Sequence, residues 1–345
     1  MKTHSGGFMK KKAVILLCIL SVTILIYLVT GCSRTGSVSK TSQSGFYFDT
    51  VITLTVYGDV DDAVFTEAFA LCDDYEHKYS RTQEGSDIWN INHADGASVS
   101  VDRETYALIE KALYYAALSD GLIDPTIAPV KDLWDYTADT PVLPDPDLLS
   151  DACSHVDYTK VILDPQTQTV TLTDPDAALD LGFIAKGYIA DRLKVFFLEH
   201  GISSALINLG GNVLCVGPKP DGSAYYIGIQ YPFRSSSELI TSVSCTDLSV
   251  VTSGIYERYF TLNDTIYHHI LSPETGYPIE NELLSVTILS ESSTDGDALS
   301  TLCYCLGLDK GMALIESLDN TEAIFITDDD SLHYSSGAEQ YITKR

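Results

Sequence analysis

One pair of oxygen-bearing side chains has the spacing of a metal site. Asp297 and Thr301 are four residues apart within Ser293–Leu306, a segment with helical periodicity, and residues at this spacing project from one helical face. A carboxylate and a hydroxyl are hard oxygen donors of the kind that Mg²⁺ binds. The pair therefore predicts a magnesium site, although acidic residues in a first helical turn also serve as ordinary caps.

A lysine between two glycines offers a second type of chemistry. In Asp180–Asp191 (DLGFIAKGYIAD), Gly182 and Gly187 flank Lys186 where a loop is predicted to enter a helix. Free backbone N–H groups at a helix start, together with a lysine, suit a phosphate group. The alternative is a plain helix start with a solvated lysine. The glycine pair of Ile207–Asn212 (INLGGN) similarly allows a close approach of the backbone to a ligand, or only a bulge.

A histidine pair follows a strand end that is rich in hydroxyl groups. Thr252-Ser253-Gly254 precedes His268-His269 by a strand-like distance. A histidine has an ordinary pKa of about 6.5, so it can remove a proton at neutral pH. The alternative is that one histidine is exposed and the other is hydrogen-bonded in a sheet.

The composition excludes several other functions. The 345 residues carry 21 Lys and Arg against 48 Asp and Glu, giving a net charge of −27. This field repels phosphate backbones and anionic lipid, so a nucleic-acid partner and a polybasic membrane surface are excluded. The sequence lacks GxxxxGK[ST], GxGxxG, HExxH and any Cys/His cluster with zinc spacing. An anionic ligand must therefore be met by a local site or by a metal.

The residues with this chemistry fall in a mixed pattern of strands and helices. A helical period predicts helices over Asp61–Tyr79, Glu104–Leu118, Lys186–Glu199, Ser293–Leu306 and Lys310–Leu318. β-Branched and aromatic runs predict strands over Phe46–Tyr57, Val161–Asp164, Thr169–Asp174, Ala205–Leu209, Tyr225–Gln230, Leu239–Ser244, Tyr267–Leu271 and Leu284–Leu289. Hairpin-spaced strands among packed helices indicate an α+β fold with mixed, largely antiparallel sheets.

The N-terminus has the features of an export signal. Three lysines at positions 10–12 precede an uncharged stretch over 13–30, which ends in Gly31-Cys32. The cysteine after a small residue resembles the cleavage site of bacterial lipoproteins, so residues 1–31 are predicted to be a signal peptide and Cys32 to be acylated. Residues 32–44 form the lipidated cysteine and a flexible tether, and residues 45–345 form the domain. The alternative is an uncleaved signal anchor.

This N-terminus predicts the location of the protein. A lipid anchor would hold it at the cell membrane, facing the outside of the cytoplasm. Residues 1–31 contain four Lys and no acidic residue, so the remaining 314 residues carry a net charge of −31.

Six cysteines remain in the mature chain, at positions 72, 153, 215, 245, 303 and 305. Their even number permits disulfides, yet a chain of this length can bury enough surface without them. Most are therefore predicted to be small buried apolar residues, and whether any two pair is left open.

Several segments resemble those of a known protein family, both in their amino-acid sequences and in their order along the chain. From Phe46 to about Leu318 the sequence resembles the ApbE family of exported flavin transferases, the FAD:protein FMN transferases. The matching segments are Asp49–Gly58, Tyr79–Asn92, Asp120–Trp134, Asp180–Asp191, Ile207–Asn212, Thr252–Arg258, His269–Ile279 and Asp297–Gly307. The family fold is a single catalytic unit, which can consist of two subdomains.

The resemblance implies a reaction that splits FAD at its pyrophosphate. FMN passes as a phosphoester to a Ser or Thr of an exported or membrane-bound flavoprotein, and AMP leaves. By similarity, Asp297, Thr301 and the Ala185 carbonyl hold Mg²⁺, and His269 is the catalytic base. A metal that neutralises the pyrophosphate agrees with this picture, and so does a base that activates the hydroxyl.

The same resemblance implies a set of FAD contacts, namely Phe48, Ser80, Arg81, Thr82, Asp120, Gly121, Leu122, Lys186, Thr252, Gly254 and Ile270. Two departures affect the flavin side. The family often has Met-Gly-Thr where this chain has Phe48-Asp49-Thr50, and a second glycine where Phe183 stands.

Other functions are consistent with parts of the sequence. A metal-dependent FAD pyrophosphatase would use the same site with water as the acceptor, and an FAD-binding or solute-receptor lipoprotein would need only the anchor and a binding site. The chain lacks the acceptor motif of the family's targets, since Glu339 follows Ser335-Ser336-Gly337-Ala338 where a hydroxyl is required. Action on a separate flavoprotein is therefore predicted.

Overall fold

The computed structural model describes residues 39–235 and 237–343. From Lys40 onward these residues form one compact unit. The predicted signal peptide, Cys32 and the tether up to residue 38 lie outside the described residues.

Seven α-helices occur in the described part of the chain: α1 (Asp62–Tyr79), α2 (Asp87–Asn92), α3 (Arg103–Leu118), α4 (Ala128–Lys131), α5 (Pro146–Ser154), α6 (Ala185–Glu199) and α7 (Ser293–Glu316). The strands are β1 (Lys40–Tyr47), β2 (Thr50–Tyr57), β3 (Val99–Ser100), β4 (Val161–Asp164), β5 (Thr169–Leu172), β6 (Ala205–Leu209), β7 (Asn212–Val216), β8 (Tyr225–Gln230), β9 (Leu239–Cys245), β10 (Ser249–Gly254), β11 (Tyr259–Leu262), β12 (Thr265–His268), β13 (Leu283–Ser290), β14 (Thr321–Thr327) and β15 (Leu332–Tyr334).

The strands form one large sheet and three small ones. The large sheet has the order β1-β2-β6-β7-β10-β13-β14-β15, and each of its neighbouring pairs is antiparallel. The small sheets are β3-β5-β4, β8-β9 and β11-β12. The predicted α+β class with largely antiparallel sheets is confirmed.

Both faces of the central strands of the large sheet are buried. Successive side chains of a strand point to opposite faces, and in β7 Leu214 packs into the main core while its neighbour Cys215 packs into a second core. The main core lies between the sheet and helices α1, α3, α6 and α7, and the second lies beneath β8 and β9. Helix α7 is long and apolar enough by composition to cross a membrane, but much of it is buried in the main core.

The first strand begins earlier than the sequence predicts. β1 starts at Lys40, inside the predicted tether, because Lys40 to Tyr47 pair in register with β2. The predicted single strand Phe46–Tyr57 is also wrong, since Phe48 and Asp49 form a two-residue hairpin turn with φ values of 54° and 57°. Both values are in the left-handed region, as a type I′ turn requires. Neither residue is the glycine or asparagine that signals such a turn.

A smaller correction concerns a predicted strand in the C-terminal half. The predicted strand Tyr267–Leu271 ends at His268, because the Ile270 N–H turns back to the Nδ1 of His268 at 3.3 Å. The two predicted helices after Ser292 are confirmed as the two halves of α7, which is broken at the non-helical residue Gly307 (φ 76°), and the second half ends at Glu316, two residues before the predicted end. The other predicted helices are confirmed to within one residue at each end.

The cysteine prediction is confirmed for the described residues. All six cysteines are free, and five of them are buried. Cys215 and Cys245 bring their Sγ atoms to 3.5 Å across the second core.

Candidate functional site

Helices α6 and α7 touch where the predicted phosphate and metal residues lie. The Gly187 backbone N–H donates to Asp297 Oδ2 at 2.8 Å. A Cβ atom on Gly187 would lie 2.2 Å from the Ser293 carbonyl oxygen and 2.7 Å from the Asp297 Cβ. Only glycine therefore permits this approach, which brings Ala185 and Lys186, the first two residues of α6, to the helix of Asp297 and Thr301.

Asp297 is a buried carboxylate that favours a nearby cation. Its exposed fraction is 4%. Burial raises the pKa of its carboxyl and Asp191 adds to this, while Lys186, the Gly187 N–H and the Asn212 side chain act in the opposite direction. A bound cation would oppose the cost of burying this charge in the same way.

Thr301 is linked to the end of strand β10. Its Oγ1 lies 3.0 Å from Ser253 Oγ, and the same Ser253 hydroxyl lies 2.7 Å from Ser300 Oγ. The hydroxyl of Thr301, the carboxylate of Asp297 and the carbonyl of Ala185 are all oxygen donors, the set that Mg²⁺ prefers. The chemistry of these residues thus fits a magnesium ion.

Another acidic group lies elsewhere in the described residues. His155, Asp174 and Asp176 have ligand atoms close enough to share an ion, but Lys160 Nζ already lies 3.2 Å from Asp174 Oδ2. This group contains none of the predicted ligands.

The two neighbouring histidines have different surroundings. His268 is buried, and its Nε2 lies 3.2 Å from the Ile279 carbonyl oxygen and 3.3 Å from Tyr304 Oη. His269 is half-buried, and its Nδ1 lies 3.2 Å from the Arg258 carbonyl oxygen. Because a carbonyl only accepts, Nδ1 of His269 carries the hydrogen, and Nε2 keeps its lone pair.

His269 is neutral at physiological pH. Burial lowers the pKa of its imidazole to about 3, and the positive charge of Lys131 acts in the same direction. A neutral imidazole with a free Nε2 can accept a proton, as a general base must.

A network of ion pairs lies next to His269. Asp180 Oδ2 contacts Lys131 Nζ at 2.8 Å and Arg81 Nε at 3.1 Å, and Arg81 Nη1 contacts Asp132 at 2.6 Å. Burial would raise the pKa of the Asp180 carboxyl, but the two cations hold it at about 2. Asp180 is therefore a charged partner of Lys131 and a poor base, and the Arg81 guanidinium already has two carboxylate partners.

Lys186 and Glu257 connect the two parts of the site. Lys186 Nζ donates to the Gly182 carbonyl at 3.3 Å, and Gly182 N–H donates to Asp180 at 2.8 Å. Glu257 is an exposed residue, but neighbouring protein atoms partly desolvate its carboxyl and raise the pKa of that group to about 7, a shift that Lys186 opposes and Asp297 reinforces. Sequence reasoning missed Glu257, although it lies in the matched segment Thr252–Arg258.

Three of the predicted FAD-binding segments lie in loops, and two of these have left-handed backbone. The left-handed residue Phe48 donates its N–H to Glu76 Oε1 at 2.9 Å. Ser80 Oγ accepts from the N–H groups of Thr82 and Gln83 at 3.3 and 3.1 Å. Left-handed backbone at Asp120 and Gly121 (φ 52° and 80°) ends helix α3. Leu122, the next residue, is exposed.

The remaining predicted FAD contacts lie in or beside sheets. Thr252 Oγ1 lies 2.8 Å from Thr287 Oγ1, and a Cβ on Gly254 would lie 2.6 Å from the Tyr256 ring. Ile270 is 6% exposed, and both its backbone groups are bonded within the protein, to His268 and Ile279. Ile270 is thus the predicted contact that this structure leaves least available to a ligand.

Comparison with known proteins is consistent with this arrangement. The profile of the ApbE family matches residues 48–325. A protein named FAD:protein FMN transferase from Treponema pallidum (strain Nichols) is 34% identical over 337 residues, which cover 92% of this chain and 93% of that protein. A protein of the same name from Klebsiella pneumoniae (strain 342) is 38% identical over 296 residues, covering 86% and 92%.

Solved structures of ApbE proteins have the same fold as this chain. The ApbE protein from Thermotoga maritima superposes with a TM-score of 0.82 at 29% identity, covering 89% of this chain and 100% of that one. The flavin transferase ApbE from Vibrio cholerae has the same fold, with a TM-score of 0.78 at 24% identity over 88% and 99% of the chains. Fold and relatives together define an enzyme of the transferase class. The chain belongs to the ApbE family.

Proposed function

We propose that this protein is a magnesium-dependent FAD:protein FMN transferase. It cleaves FAD at the pyrophosphate, attaches FMN through a phosphoester to a Ser or Thr of an exported flavoprotein, and releases AMP. The observation that carries this proposal is the contact between Gly187 and Asp297. It joins a lysine-bearing helix start to a helix with two oxygen ligands, which is what a pyrophosphate with its counter-ion requires.

The metal would be held by Asp297, Thr301 and the Ala185 carbonyl. When bound, Mg²⁺ neutralises pyrophosphate charge and stabilises the charge that develops on the leaving group. Lys186 adds a positive charge next to Asp297, since it lowers the pKa of that carboxyl.

His269 would activate the acceptor. Its Nε2 takes the proton of the incoming Ser or Thr hydroxyl while its Nδ1–H stays bound to the Arg258 carbonyl, which fixes the ring and the tautomer. The hydroxyl oxygen then forms the new bond to phosphorus as the bond from phosphorus to the AMP oxygen breaks.

The acceptor is a separate protein. In the chain's own segment that most resembles an acceptor motif, Ser335 is 1% exposed and hydrogen-bonded to Glu322, and Ser336 Oγ donates to Glu316 at 2.7 Å. Both hydroxyls are therefore occupied. Mass spectrometry that found FMN covalently bound to this chain itself would contradict this part of the proposal.

The enzyme would be anchored by lipid at the cell membrane, facing the outside of the cytoplasm. The supporting features are the signal-like segment 1–31 and Cys32. Replacing Cys32 by Ser should release the protein or leave it as a precursor, while the folded domain stays active. A Cys32→Ser protein that stays processed and membrane-bound would contradict lipidation at this residue.

One experiment separates this function from its rivals. The protein is incubated with FAD, Mg²⁺ and a candidate flavoprotein, and AMP release is followed together with covalent flavin fluorescence on the acceptor. The transferase gives both signals. Release of AMP and free FMN without labelled acceptor would identify a pyrophosphatase, and FAD binding without AMP would identify a carrier.

A further inference from the structure

A second contact joins α6 to α7 one turn from the first. Asp191 on α6 accepts the Ser293 N–H on Oδ1 at 2.9 Å, and the Thr294 N–H on Oδ2 at 2.9 Å. The Thr294 hydroxyl also donates to Oδ2, at 2.6 Å. A carboxylate that receives backbone N–H groups at a helix start makes strong, charge-assisted hydrogen bonds. Asp191 therefore fixes the first turn of α7 from a neighbouring helix.

The two contacts are in register with each other. Gly187 and Asp191 are four residues apart on α6, and Ser293 and Asp297 are four residues apart on α7, so each pair lies on one helical face. Gly187 contacts Asp297 while Asp191 contacts Ser293. Two contacts one turn apart therefore fix the register of α7 against α6 at the proposed ligands more firmly than either contact alone.

We propose that Asp191 is a positioning residue for the cation site. It holds α7 in the register that places Asp297 and Thr301 beside the Ala185 carbonyl, so its removal should weaken cation binding although it is not itself a ligand. Its two oxygens already accept N–H and O–H donors. This inference rests on the magnesium site of the proposed function.

The chain offers a matched control in the same helical turn. Asp295 also ties the start of α7 to another helix, through Lys111 Nζ at 2.7 Å and Tyr115 Oη at 2.5 Å. Lys111 and Tyr115 belong to α3, which carries none of the proposed ligands. Loss of Asp295 should therefore cost stability without the same loss of cation affinity.

The test compares Asp191→Asn with Asp295→Asn in the full-length protein. Asparagine is nearly isosteric, but it presents an N–H₂ group where one carboxylate oxygen accepted a hydrogen bond. Mg²⁺ alone is titrated into each protein by calorimetry, and hydrogen exchange of the Ser293 and Thr294 amides is measured in parallel. We expect Mg²⁺ affinity to fall about 10–100-fold in Asp191→Asn, with faster exchange at both amides, and to change little in Asp295→Asn.

Three results would overturn the inference in different ways. If the wild-type protein binds Mg²⁺ but both variants lose affinity equally, Asp191 acts only through general stability. If the wild-type protein binds no Mg²⁺, the metal site of the proposed function is itself wrong. Asp191→Glu covers the case in which the asparagine variant does not fold, because it keeps the charge but adds a methylene. A wild-type Mg²⁺ affinity in Asp191→Glu would also refute a role in setting the register.

Discussion

The Gly187 backbone N–H lies 2.8 Å from Asp297 Oδ2, at a point where the two helices leave no room for a Cβ atom. The contact occupies one oxygen of the Asp297 carboxylate. The second proposed ligand, Thr301, lies one turn further along the same helix, α7. Glycine at this position is therefore required by the approach of two backbones.

Gly187→Ala should separate the two helices. The added Cβ would meet the Ser293 carbonyl oxygen at 2.2 Å, a backbone atom that cannot move independently. Overpacking of this kind costs about 1–3 kcal/mol of unfolding free energy, and we expect Mg²⁺ affinity to fall with it. Thermal unfolding and calorimetric Mg²⁺ titration measure the two effects.

Gly311→Ala is the control for that prediction. Its Cβ would meet the Cys303 carbonyl oxygen at 2.9 Å and the Phe325 ring at 3.0 Å, in the second half of α7. It should lower the unfolding temperature and leave Mg²⁺ affinity unchanged. Equal loss of Mg²⁺ affinity in both variants would mean that the site responds only to global stability.

Periodicity predicted the elements that carry the site but not how those elements meet. The start of α6 and the four-residue spacing of Asp297 and Thr301 are local properties, so they can be read from the sequence. The bonds of Asp191 to α7 join residues about a hundred positions apart, and no local pattern encodes them. The turn at Phe48 was missed for the opposite reason, since a phenylalanine with positive φ violates the usual turn chemistry.

Metal and base should be separable by mutation. Asp297→Ala removes the only charged ligand of the proposed set, so Mg²⁺ affinity and turnover should both collapse, with partial rescue at high Mg²⁺. His269→Ala should leave FAD and Mg²⁺ binding largely intact while slowing transfer about 10²–10⁴-fold, the usual contribution of a positioned base. Calorimetry with FAD, with and without Mg²⁺, and single-turnover AMP release distinguish the two.

The outcome for His269 has a clear alternative. If His269→Ala lost FAD binding while keeping its rate at saturation, the residue would be a binding residue. Asp180 would then be a poor substitute as base, because its ion pairs keep the pKa of its carboxyl at about 2. Asp120 would be the next carboxylate to test.

The low pKa of His269 should make the free energy of unfolding depend on pH in the acidic range. Burial lowers the pKa of His269 from 6.5 to about 3, so between these values the unfolded chain binds more protons than the folded one. Stability contributed by this group is complete above pH 6.5 and is lost as the pH falls toward 3. His269→Gln should therefore lose less stability than the wild type between pH 7 and pH 4, as measured by denaturant unfolding. A parallel decline of both proteins would refute the shift.

The boundary of the domain can be tested by truncation. A chain that begins at Lys40 keeps all of β1, whereas one that begins at Ser44 loses the pairing of Lys40 to Gln43 with β2. The shorter chain should unfold at a lower temperature, by no more than about 2–4 °C per kcal/mol lost, since the shift per kcal/mol falls with domain size. FAD binding should persist in both, because the Phe48 turn is retained. Equal unfolding temperatures would place Lys40–Gln43 outside the stable fold.

Ionisation of Glu257 should make the metal-free protein less stable at pH 8 than at pH 4. Desolvation raises the pKa of its carboxyl from 4.5 to about 7, with Asp297 contributing in the same direction. The folded protein therefore binds more protons than the unfolded chain between these values, so stability falls as the pH rises from 4.5 through 7. Glu257→Gln cannot ionise, and it should be more stable than the wild type at pH 8 and no more stable at pH 4.

Denaturant unfolding in the presence of a chelator measures this difference, and Mg²⁺ should reduce it because a cation beside Asp297 also stabilises the Glu257 carboxylate. Glu274→Gln is the control, since it also removes one exposed negative charge from the same −27 chain, at a residue outside the proposed site. If both variants gained equal stability at pH 8, the gain would come from the lower net charge. A gain in unfolding free energy that is confined to Glu257→Gln and is reduced by Mg²⁺ would show that the bound cation interacts electrostatically with the Glu257 carboxylate.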